Sequence, residues 1–167
     1  MVKIYLGIGS NIEPDANIRA GLKSLASLFS TLTISPIYQA PAFGFDGDDF
    51  YNLVVAAETD LPIAGVVKKL RELEYQHGRP LQAVKFASRS LDVDLLLYGD
   101  FVGTLACESG EYQIPRSDID KFDFVLRPLQ DIAGEQYHPQ SGKTFAQLWQ
   151  AMSAAQSSQL NPVSLSS

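Results

Sequence analysis

Apolar residues along this chain fall into short runs that alternate with stripes of helical spacing. The segments KIYLGIGS, FYNLVVAAET and LDVDLLLYG are short and rich in aliphatic residues, which predicts buried strands. Between the first two, apolar residues recur at helical spacing from Ile18 to Leu28. A second stripe runs from Ile63 to Leu73 and ends near Gly78, which favours a helix there.

The order of these elements predicts the fold class. TLTISPIYQAP indicates a further β segment before the second strand, and FVLRPLQDI and KTFAQLWQAM indicate short helices after the third. Helices interleaved with strands that can pair antiparallel predict an α+β sandwich, in which helices pack on the faces of one sheet. We expect residues 1–155 to form a single domain. The Ser-rich residues 156–167 lack helical periodicity, which predicts a loose tail.

Composition narrows the class of partner and the compartment. The 167 residues carry a formal net charge of -6, which argues against a nucleic-acid-binding protein but leaves room for an anionic small substrate. The apolar runs are too short to span a membrane, so no membrane partner is predicted. Cys107 is the single cysteine and cannot form an internal disulfide, which favours the cytoplasm.

Two aspartates stand inside the apolar segment RSLDVDLLLYGD. Because a strand has a period of two, Asp92 and Asp94 lie on one face, with Cα atoms about 7 Å apart. The residues that we expect to face the core are Leu91, Val93, Leu95 and Leu97. Paired carboxylates repel unless a cation lies between them, and oxygen ligands favour Mg²⁺, which usually also takes phosphate oxygens. The alternative is an edge strand that carries two solvated acids.

A basic segment precedes the aspartates. From Arg79 to Ser90 it contains Arg79, Lys85 and Arg89 and no acidic residue. Cations beside paired carboxylates fit a metal-bridged polyphosphate, in which arginine binds the oxygens that the metal does not reach. By itself, such a segment is also typical of a solvated loop.

The glycines near the N-terminus have two interpretations. GIGSN, residues 7–11, follows the first predicted strand, as a nucleotide-binding turn would. It matches neither G-x-G-x-x-G nor a phosphate-binding loop with a lysine. We therefore interpret it as a tight turn.

Several segments match one protein family in unbroken order and with similar spacing. They are LGIGSNI, IYQAPAFG, FYNLVVAAET, LRELEYQHGR, KFASRSLDVDLLLYG and IPRSDIDKFDFVLRPLQDIA. Together they resemble the 6-hydroxymethyl-7,8-dihydropterin pyrophosphokinase family of folate biosynthesis. Several motifs in register are more specific than the D-x-D pair alone.

The resemblance implies a ferredoxin-like α+β fold and an ATP-dependent enzyme. The implied reaction transfers pyrophosphate from ATP to the hydroxymethyl group of the pterin and releases AMP. ATP is then the co-substrate, and Asp92 and Asp94 are the implied ligands of two Mg²⁺ ions. We expect a cytoplasmic monomer whose partners are ATP and the pterin.

The resemblance also assigns roles to single residues. The implied catalytic residues are Arg79, Arg89 and Asp94. The implied ATP-binding residues are Glu74, Arg79, Phe86, Arg89, Leu95 and Arg116. The implied pterin-binding residues are Ala40, Pro41, Phe43, Phe50, Asn52 and Phe124. Among these, Phe50 and Phe124 would stack on the flat ring and Asn52 would bind its polar edge, as the chemistry of a heterocycle requires.

The chain departs from the family pattern near the predicted nucleotide site. Leu81 stands where a second loop arginine is usual, and Phe122 stands where another arginine is usual. Arg116 and Ser117 replace a usual His-Tyr pair. We therefore expect weaker ATP binding than is usual, with Arg116 supplying part of the missing charge.

Two other functions compete with this one. A divergent paralogue could bind pterin or nucleotide with weak or no pyrophosphokinase activity, and the missing cations motivate that alternative. A different Mg-nucleotide enzyme, such as a sugar transferase, could also use D-x-D, but it leaves Asn52 and the two aromatic residues unexplained. Release of AMP in the presence of the pterin alcohol discriminates among them.

Overall fold

The computed structural model describes residues 1–80, 86–107 and 110–165. The elements in this part of the chain are, in order, β1 (Val2–Ser10), α1 (Pro14–Leu28), β2 (Ser30–Ile34), β3 (Ile37–Ala40), β4 (Phe50–Thr59), α2 (Ile63–Gln76), β5 (Asp92–Tyr98), β6 (Gly103–Cys107), β7 (Gly110–Ile114), α3 (Asp118–Lys121), α4 (Asp123–Ala133), α5 (Phe145–Ala155) and β8 (Asn161–Val163). None of the helices described here combines the length and apolar character that a membrane span requires.

A six-stranded antiparallel sheet forms the centre of the molecule. Its main strand order is β5-β1-β4-β3-β8, and β2 also pairs with β4. The strands β6 and β7 form a separate hairpin. Because β1 lies between β4 and β5, a ligand over β1 can reach side chains of both neighbours. The predicted α+β class, with helices packed on one sheet, is confirmed.

Helices cover both faces of this sheet. On one face, α1 and α2 pack on a core that includes Leu6 and Leu95, and on the other, α4 and α5 pack on a core that includes Leu96. From the two-residue period of a strand, we predicted that Leu97 would face the same core as Leu95. This prediction was wrong. The pairing of β1 with β5 shifts register between Tyr5 and Leu6, so Leu97 lies in the second core with Leu96.

The segment TLTISPIYQAP forms two strands instead of the single β segment predicted. Pro36 has no backbone N–H to contribute to a ladder, so pairing is interrupted there. At the break, Ser35 N–H donates to the carbonyl of Val54 at 3.0 Å, and Ser35 Oγ accepts from Val54 N–H at 2.9 Å. A side chain thus replaces one bond of the interrupted ladder.

Three strands were not predicted from the sequence. The β6–β7 hairpin was missed, and β8 lies within the segment expected to be a loose tail. The expectation of a loose tail was wrong for this part, because residues 161–163 pair with β3 and Val163 and Leu165 pack on the first core. The edge of β3 supplies the hydrogen-bond partners that the Ser-rich segment cannot supply for itself.

Candidate active site

A cavity of about 560 Å³ lies on the face of the sheet that α4 covers. Three neighbouring strands form its floor. Gly9 of β1 pairs with Asn52 of β4 and with Asp92 of β5, and Gly7 pairs with Asp94. Paired residues of an antiparallel sheet point to the same face. Asn52 and the two aspartates therefore project into one cavity, on opposite sides of the glycines.

The two glycines keep this floor open. A Cβ atom at Gly9 would lie 3.2 Å from Asn52 Oδ1 and 3.6 Å from Phe50 Cδ2. Any larger residue would occupy the space between these groups. The interpretation of GIGSN as a tight turn was wrong, because Gly7 to Ser10 continue strand β1 through the site.

The aspartates face the cavity, as the strand period predicted. Although β5 is an edge strand of the sheet, these are not simply solvated acids, since the side chains of Asp92 and Asp94 are only 40% and 28% exposed. The pKa of each is raised to about 7. The first cause is loss of water to the cavity walls, and the second is repulsion, by Glu74 on Asp92 and by Asp92 on Asp94. Arg79 and Arg89 lower the pKa of Asp92 and Arg116 lowers that of Asp94, but by less than burial and repulsion raise them.

Arginine side chains face these carboxylates. We call this region the polar end of the cavity and define it by Arg79, Arg89, Asp92, Asp94 and Arg116. Arg79 Nη1 lies 3.8 Å from Asp92 Oδ1, and Arg116 Nη2 lies 3.9 Å from Asp94 Oδ1. Both distances exceed that of a hydrogen bond, so the arginines attract the carboxylates without neutralising them fully. Arg89 lines the same end and is 8% exposed.

Two side chains hold β5 in place from outside the cavity floor. Glu74, which is 2% exposed, accepts a hydrogen bond from Val93 N–H at 2.9 Å, and burial raises the pKa of its carboxyl. Tyr112 Oη accepts from Leu95 N–H at 2.8 Å and donates to the Leu95 carbonyl at 3.1 Å. Glu74 and Leu95 were both assigned to ATP, but neither lines the cavity. In this structure Glu74 supports the strand that carries the aspartates, and Leu95 is a buried residue of that strand.

Aromatic rings form the opposite region of the cavity. We call it the aromatic end and define it by Phe43, Phe50, Asn52, Phe122 and Phe124. The rings of Phe122 and Phe124 are stacked, with centroids 4.9 Å apart and planes at 19°. Phe43 meets Phe122 edge-to-face at 4.8 Å. This end presents flat apolar surfaces together with one carboxamide.

The residues assigned to backbone contact with the pterin divide into two groups. Pro41 and Phe43 line the cavity, so a contact with the pterin stays a prediction for both. Ala40 does not line it, because it is 4% exposed and pairs with Phe50 inside the sheet. The strand β3 ends at Ala40, so the chain enters the cavity wall only at the next residue.

Asn11 joins two segments at the mouth of the cavity. Its Nδ2 donates to the Asp48 carbonyl at 3.1 Å and to Ser88 Oγ at 3.2 Å, and its Oδ1 accepts from Arg89 N–H at 2.9 Å. Phe86 also lies here and meets Phe43 edge-to-face at 5.4 Å. The basic segment is described at 79–80 and 86–90. Leu81 and Lys85, to which part of that prediction refers, lie outside the described residues.

Comparison with known proteins decides the family. A family model described as 7,8-dihydro-6-hydroxymethylpterin-pyrophosphokinase (HPPK) matches residues 5–134. The chain belongs to the HPPK family. The resemblance seen in the sequence is thereby confirmed, and with it the class of an ATP-dependent pyrophosphokinase of folate biosynthesis.

Individual HPPK relatives support the same assignment. The chain is 30% identical over 141 residues to the 2-amino-4-hydroxy-6-hydroxymethyldihydropteridine pyrophosphokinase of Aquifex aeolicus, covering 83% of this chain and 85% of that protein. It is 31% identical over 145 residues to the protein of the same name from Haemophilus influenzae, covering 84% and 88%.

A solved structure of HPPK-DHPS from Plasmodium falciparum shares the fold. It matches with a TM-score of 0.72 at 13% identity and covers 92% of this chain. The match covers 44% of that longer protein, so this chain spans less than half of it. At this identity the likeness concerns the fold alone.

The structure brings most of the residues assigned by HPPK resemblance to this one cavity. Those that line it are Pro41, Phe43, Phe50, Asn52, Arg79, Phe86, Arg89, Asp92, Asp94, Arg116 and Phe124. Sequence reasoning missed Gly7, Gly9, Tyr112 and Phe122, which also line it. The spacing of the two glycines and the departure at Phe122 were the available signals. The glycines acquire a role only once the pairing of β1 with β4 and β5 is known, and Phe122 only once its stacking on Phe124 is known.

Proposed function

We propose that this protein transfers the pyrophosphoryl group of ATP to the hydroxymethyl group of 6-hydroxymethyl-7,8-dihydropterin, with AMP as the second product. The observation that carries this proposal is the row formed by Asn52, Gly9 and Asp92 across the cavity floor. It joins a carboxamide at the aromatic end to a carboxylate at the polar end, two strand spacings or about 10 Å away. A pterin and a polyphosphate can therefore meet over the glycine.

The aromatic end suits the pterin. A flat heterocycle gains from stacking on aromatic faces, which Phe50 and Phe124 offer. The amide-like edge of the pterin needs directional donors and acceptors, and the carboxamide of Asn52 supplies both. The Gly9 position leaves space for the ring beside that carboxamide.

The polar end fits Mg²⁺. Asp92 and Asp94 offer oxygen ligands, and burial followed by repulsion from neighbouring carboxylates raises the pKa of both, so a bound cation would favour their ionised forms. Mg²⁺ characteristically completes its coordination with water and phosphate oxygens, so two carboxylates suffice for sites shared with ATP. We propose that these aspartates hold two ions. When bound, Mg²⁺ supplies neutralisation of phosphate charge and alignment of the reacting oxygens.

The arginines supply fixed charge for the transfer itself. The hydroxymethyl oxygen forms a bond to the β-phosphorus, and the bond from that phosphorus to the α–β bridging oxygen breaks. AMP keeps the bridging oxygen, and the hydroxyl proton passes to solvent. Negative charge grows on the bridging oxygen, and guanidinium groups of Arg79 and Arg89 stabilise it most where it develops.

The remaining assignments extend this proposal. The carboxylates and arginines that phosphoryl transfer requires lie at one end of the cavity, which favours catalysis over a paralogue that only binds. We also propose that the protein acts as a monomer. A single cysteine favours the cytoplasm as its compartment.

The test is an assay for AMP. The wild-type protein is incubated with ATP, Mg²⁺ and the reduced pterin alcohol, and AMP is quantified by chromatography. We expect AMP and pterin diphosphate in equal amounts, and no AMP when the pterin or Mg²⁺ is omitted. Release of ADP instead of AMP, or no nucleotide turnover, would reject the proposed reaction.

A further inference from the structure

We propose that Phe122 is a positioning residue for the pterin, because its ring orients Phe124 and connects that ring to the mouth of the cavity. This inference rests on the proposed function, since it assumes that Phe124 stacks on the pterin. No role for Phe122 follows from the family pattern, in which an arginine is usual at this position. The ring must therefore be understood from its own contacts.

Those contacts form a continuous series of rings. Phe122 is stacked on Phe124 at 4.9 Å and 19°, and Phe43 meets Phe122 edge-to-face at 4.8 Å and 67°. Phe43 in turn meets Phe86 at 5.4 Å and 71°. These are the offset and edge-to-face geometries that aromatic pairs prefer. Three separate segments of the chain are connected in this way along one wall of the cavity.

Phe122 is held by the backbone at the start of the helix that carries Phe124. It is the residue at which α3 ends and α4 begins. Its N–H donates to the Asp118 carbonyl at 3.0 Å, and its carbonyl accepts from Val125 N–H at 3.2 Å and Leu126 N–H at 3.0 Å. Phe43, by contrast, lies between strands and is 51% exposed. A ring on a fixed backbone can set the orientation of its neighbours.

The chemistry of the ring favours the pterin over the nucleotide. A phenyl ring carries no charge to neutralise a phosphate, but it restricts the rotamers of a ring stacked on it. One face of Phe124 is covered by Phe122, so a flat ligand stacks on the other face. Fixing Phe124 before binding reduces the side-chain entropy that pterin binding would otherwise lose.

Four proteins test this role: the wild type, Phe122→Leu, Phe122→Tyr and Phe101→Leu. Phe122→Leu keeps an apolar side chain but removes the ring that stacks on Phe124. Phe122→Tyr keeps that stacked ring. Phe101 is 39% exposed, lies between β5 and β6 and does not line the cavity, so its leucine variant is the matched control. Calorimetry gives Kd for the pterin alcohol without ATP and for Mg-ATP without pterin. Steady-state kinetics give kcat and both KM values, and thermal unfolding gives Tm.

For Phe122→Leu we expect Kd and KM for the pterin to rise about three- to tenfold, the range of an aromatic pair contribution. Kd and KM for ATP and kcat should stay within about twofold of wild type, and Phe122→Tyr and Phe101→Leu should match wild type. Equal losses for both ligands, or a lower Tm with unchanged pterin Kd, would mean that Phe122 is only core.

Two further measurements keep the inference decidable. If Phe122→Leu does not fold, Phe43→Leu keeps the backbone of residue 43, removes the edge contacts of its ring with Phe122 and Phe86, and should raise the pterin Kd by a smaller factor. An unchanged pterin Kd in that variant would then overturn the inference. If wild type releases no AMP, the proposed reaction fails, whereas the calorimetric comparison still decides the role of Phe122.

Discussion

At the polar end of the cavity the charged groups of Asp92 and Asp94 face guanidinium groups at 3.8 and 3.9 Å, whereas at the aromatic end Phe122 and Phe124 are already stacked at 4.9 Å. At the first end these ion pairs are longer than hydrogen bonds, and burial followed by repulsion between carboxylates raises the pKa of both aspartates to about 7. The second is packed from residues of the chain itself. The polar end is therefore held together by longer-range attraction between charges, whereas the aromatic end is held by direct contact between rings.

This difference follows from the ligands that each end is proposed to take. A polyphosphate with Mg²⁺ brings charges of both signs, so a fully neutralised protein site would compete with it. A pterin brings a flat surface and a polar edge, and it gains most from rings and a carboxamide held in position beforehand. Substitutions should therefore act mainly on turnover at the polar end and on affinity at the aromatic end.

The largest effect is expected from Asp94→Asn. Turnover should fall on the order of 10³-fold or more, since loss of one charge-stabilising group in such a site already lowers kcat by roughly 10²–10³-fold. The ligand-free variant should unfold at no lower temperature than wild type at pH 8. The folded-state pKa of Asp94 is raised, so its ionised form disfavours folding as pH rises toward 7, and asparagine removes that charge.

A Mg²⁺ titration of AMP formation, together with thermal unfolding, checks this prediction. Asp100→Asn is the control, because Asp100 is exposed just beyond β5. Near-normal turnover of Asp94→Asn at saturating Mg²⁺ would remove Asp94 from the metal site.

Arg89→Ala should have the next largest effect on turnover. We expect kcat to fall roughly 10²–10³-fold, with much smaller changes in both KM values, because the guanidinium helps most where charge develops. Steady-state kinetics with each substrate varied in turn measure the split. Arg19→Ala, which removes a guanidinium paired with Asp15 on α1, serves as the control. An effect confined to the KM values would contradict the proposed role.

Arg116→Ala tests how the polar end holds the nucleotide. The expected loss of Mg-ATP affinity is about 1.5–3 kcal/mol, typical of a hydrogen bond to a charged group. Arg116→Lys should recover part of it, since charge is kept but the planar fork is lost. Both are measured by calorimetry. Normal ATP binding by Arg116→Ala would place the nucleotide elsewhere and refute the alignment of this stretch.

The smallest expected effect concerns the aromatic end. Phe124→Ala should weaken pterin binding by about 1–3 kcal/mol, from the buried area and the stacking face that it removes. ATP binding should be unchanged, and Phe124→Leu should lose less than alanine because it keeps apolar area. Calorimetry with each ligand alone is the measurement. Equal losses for pterin and ATP would show that Phe124 acts only as core.

The sequence correctly predicted those elements whose hydrophobic pattern lies within one continuous segment. The stripe from Ile63 to Leu73 predicted α2, and the alternation around Asp92 and Asp94 predicted the face on which they lie. Both predictions follow from the periodicity of one continuous segment. That periodicity can be read from the sequence without knowing which segments pack beside it. The same holds for Asn52, whose strand FYNLVVAAET forms β4 with matching bounds.

Features that depend on pairing between distant segments were not reached. Gly7 and Gly9 become a cavity floor only through the register that places Asn52 on one side and the aspartates on the other. The strand β8 exists because β3 offers an edge, and its three residues have no periodicity of their own. Leu97 changed face because β5 carries one extra residue, Leu96, between the partners of Tyr5 and Leu6, which only the pairing with β1 shows.

Gly7 and Gly9 have no side chains, and this leaves space in the cavity above strand β1. Glycine inside a strand is less stable than alanine by roughly 0.5–1 kcal/mol, because it orders more backbone and packs nothing. At Gly7 a Cβ would meet Leu96 at 3.4 Å, an ordinary contact, so the fold itself would accept a methyl group there. The Gly7→Ala variant should have a higher Tm than the wild type and a lower rate of AMP formation. If that is the outcome, Gly7 lowers the thermal stability of the fold in order to keep open the space in which, in the proposed reaction, the two substrates meet.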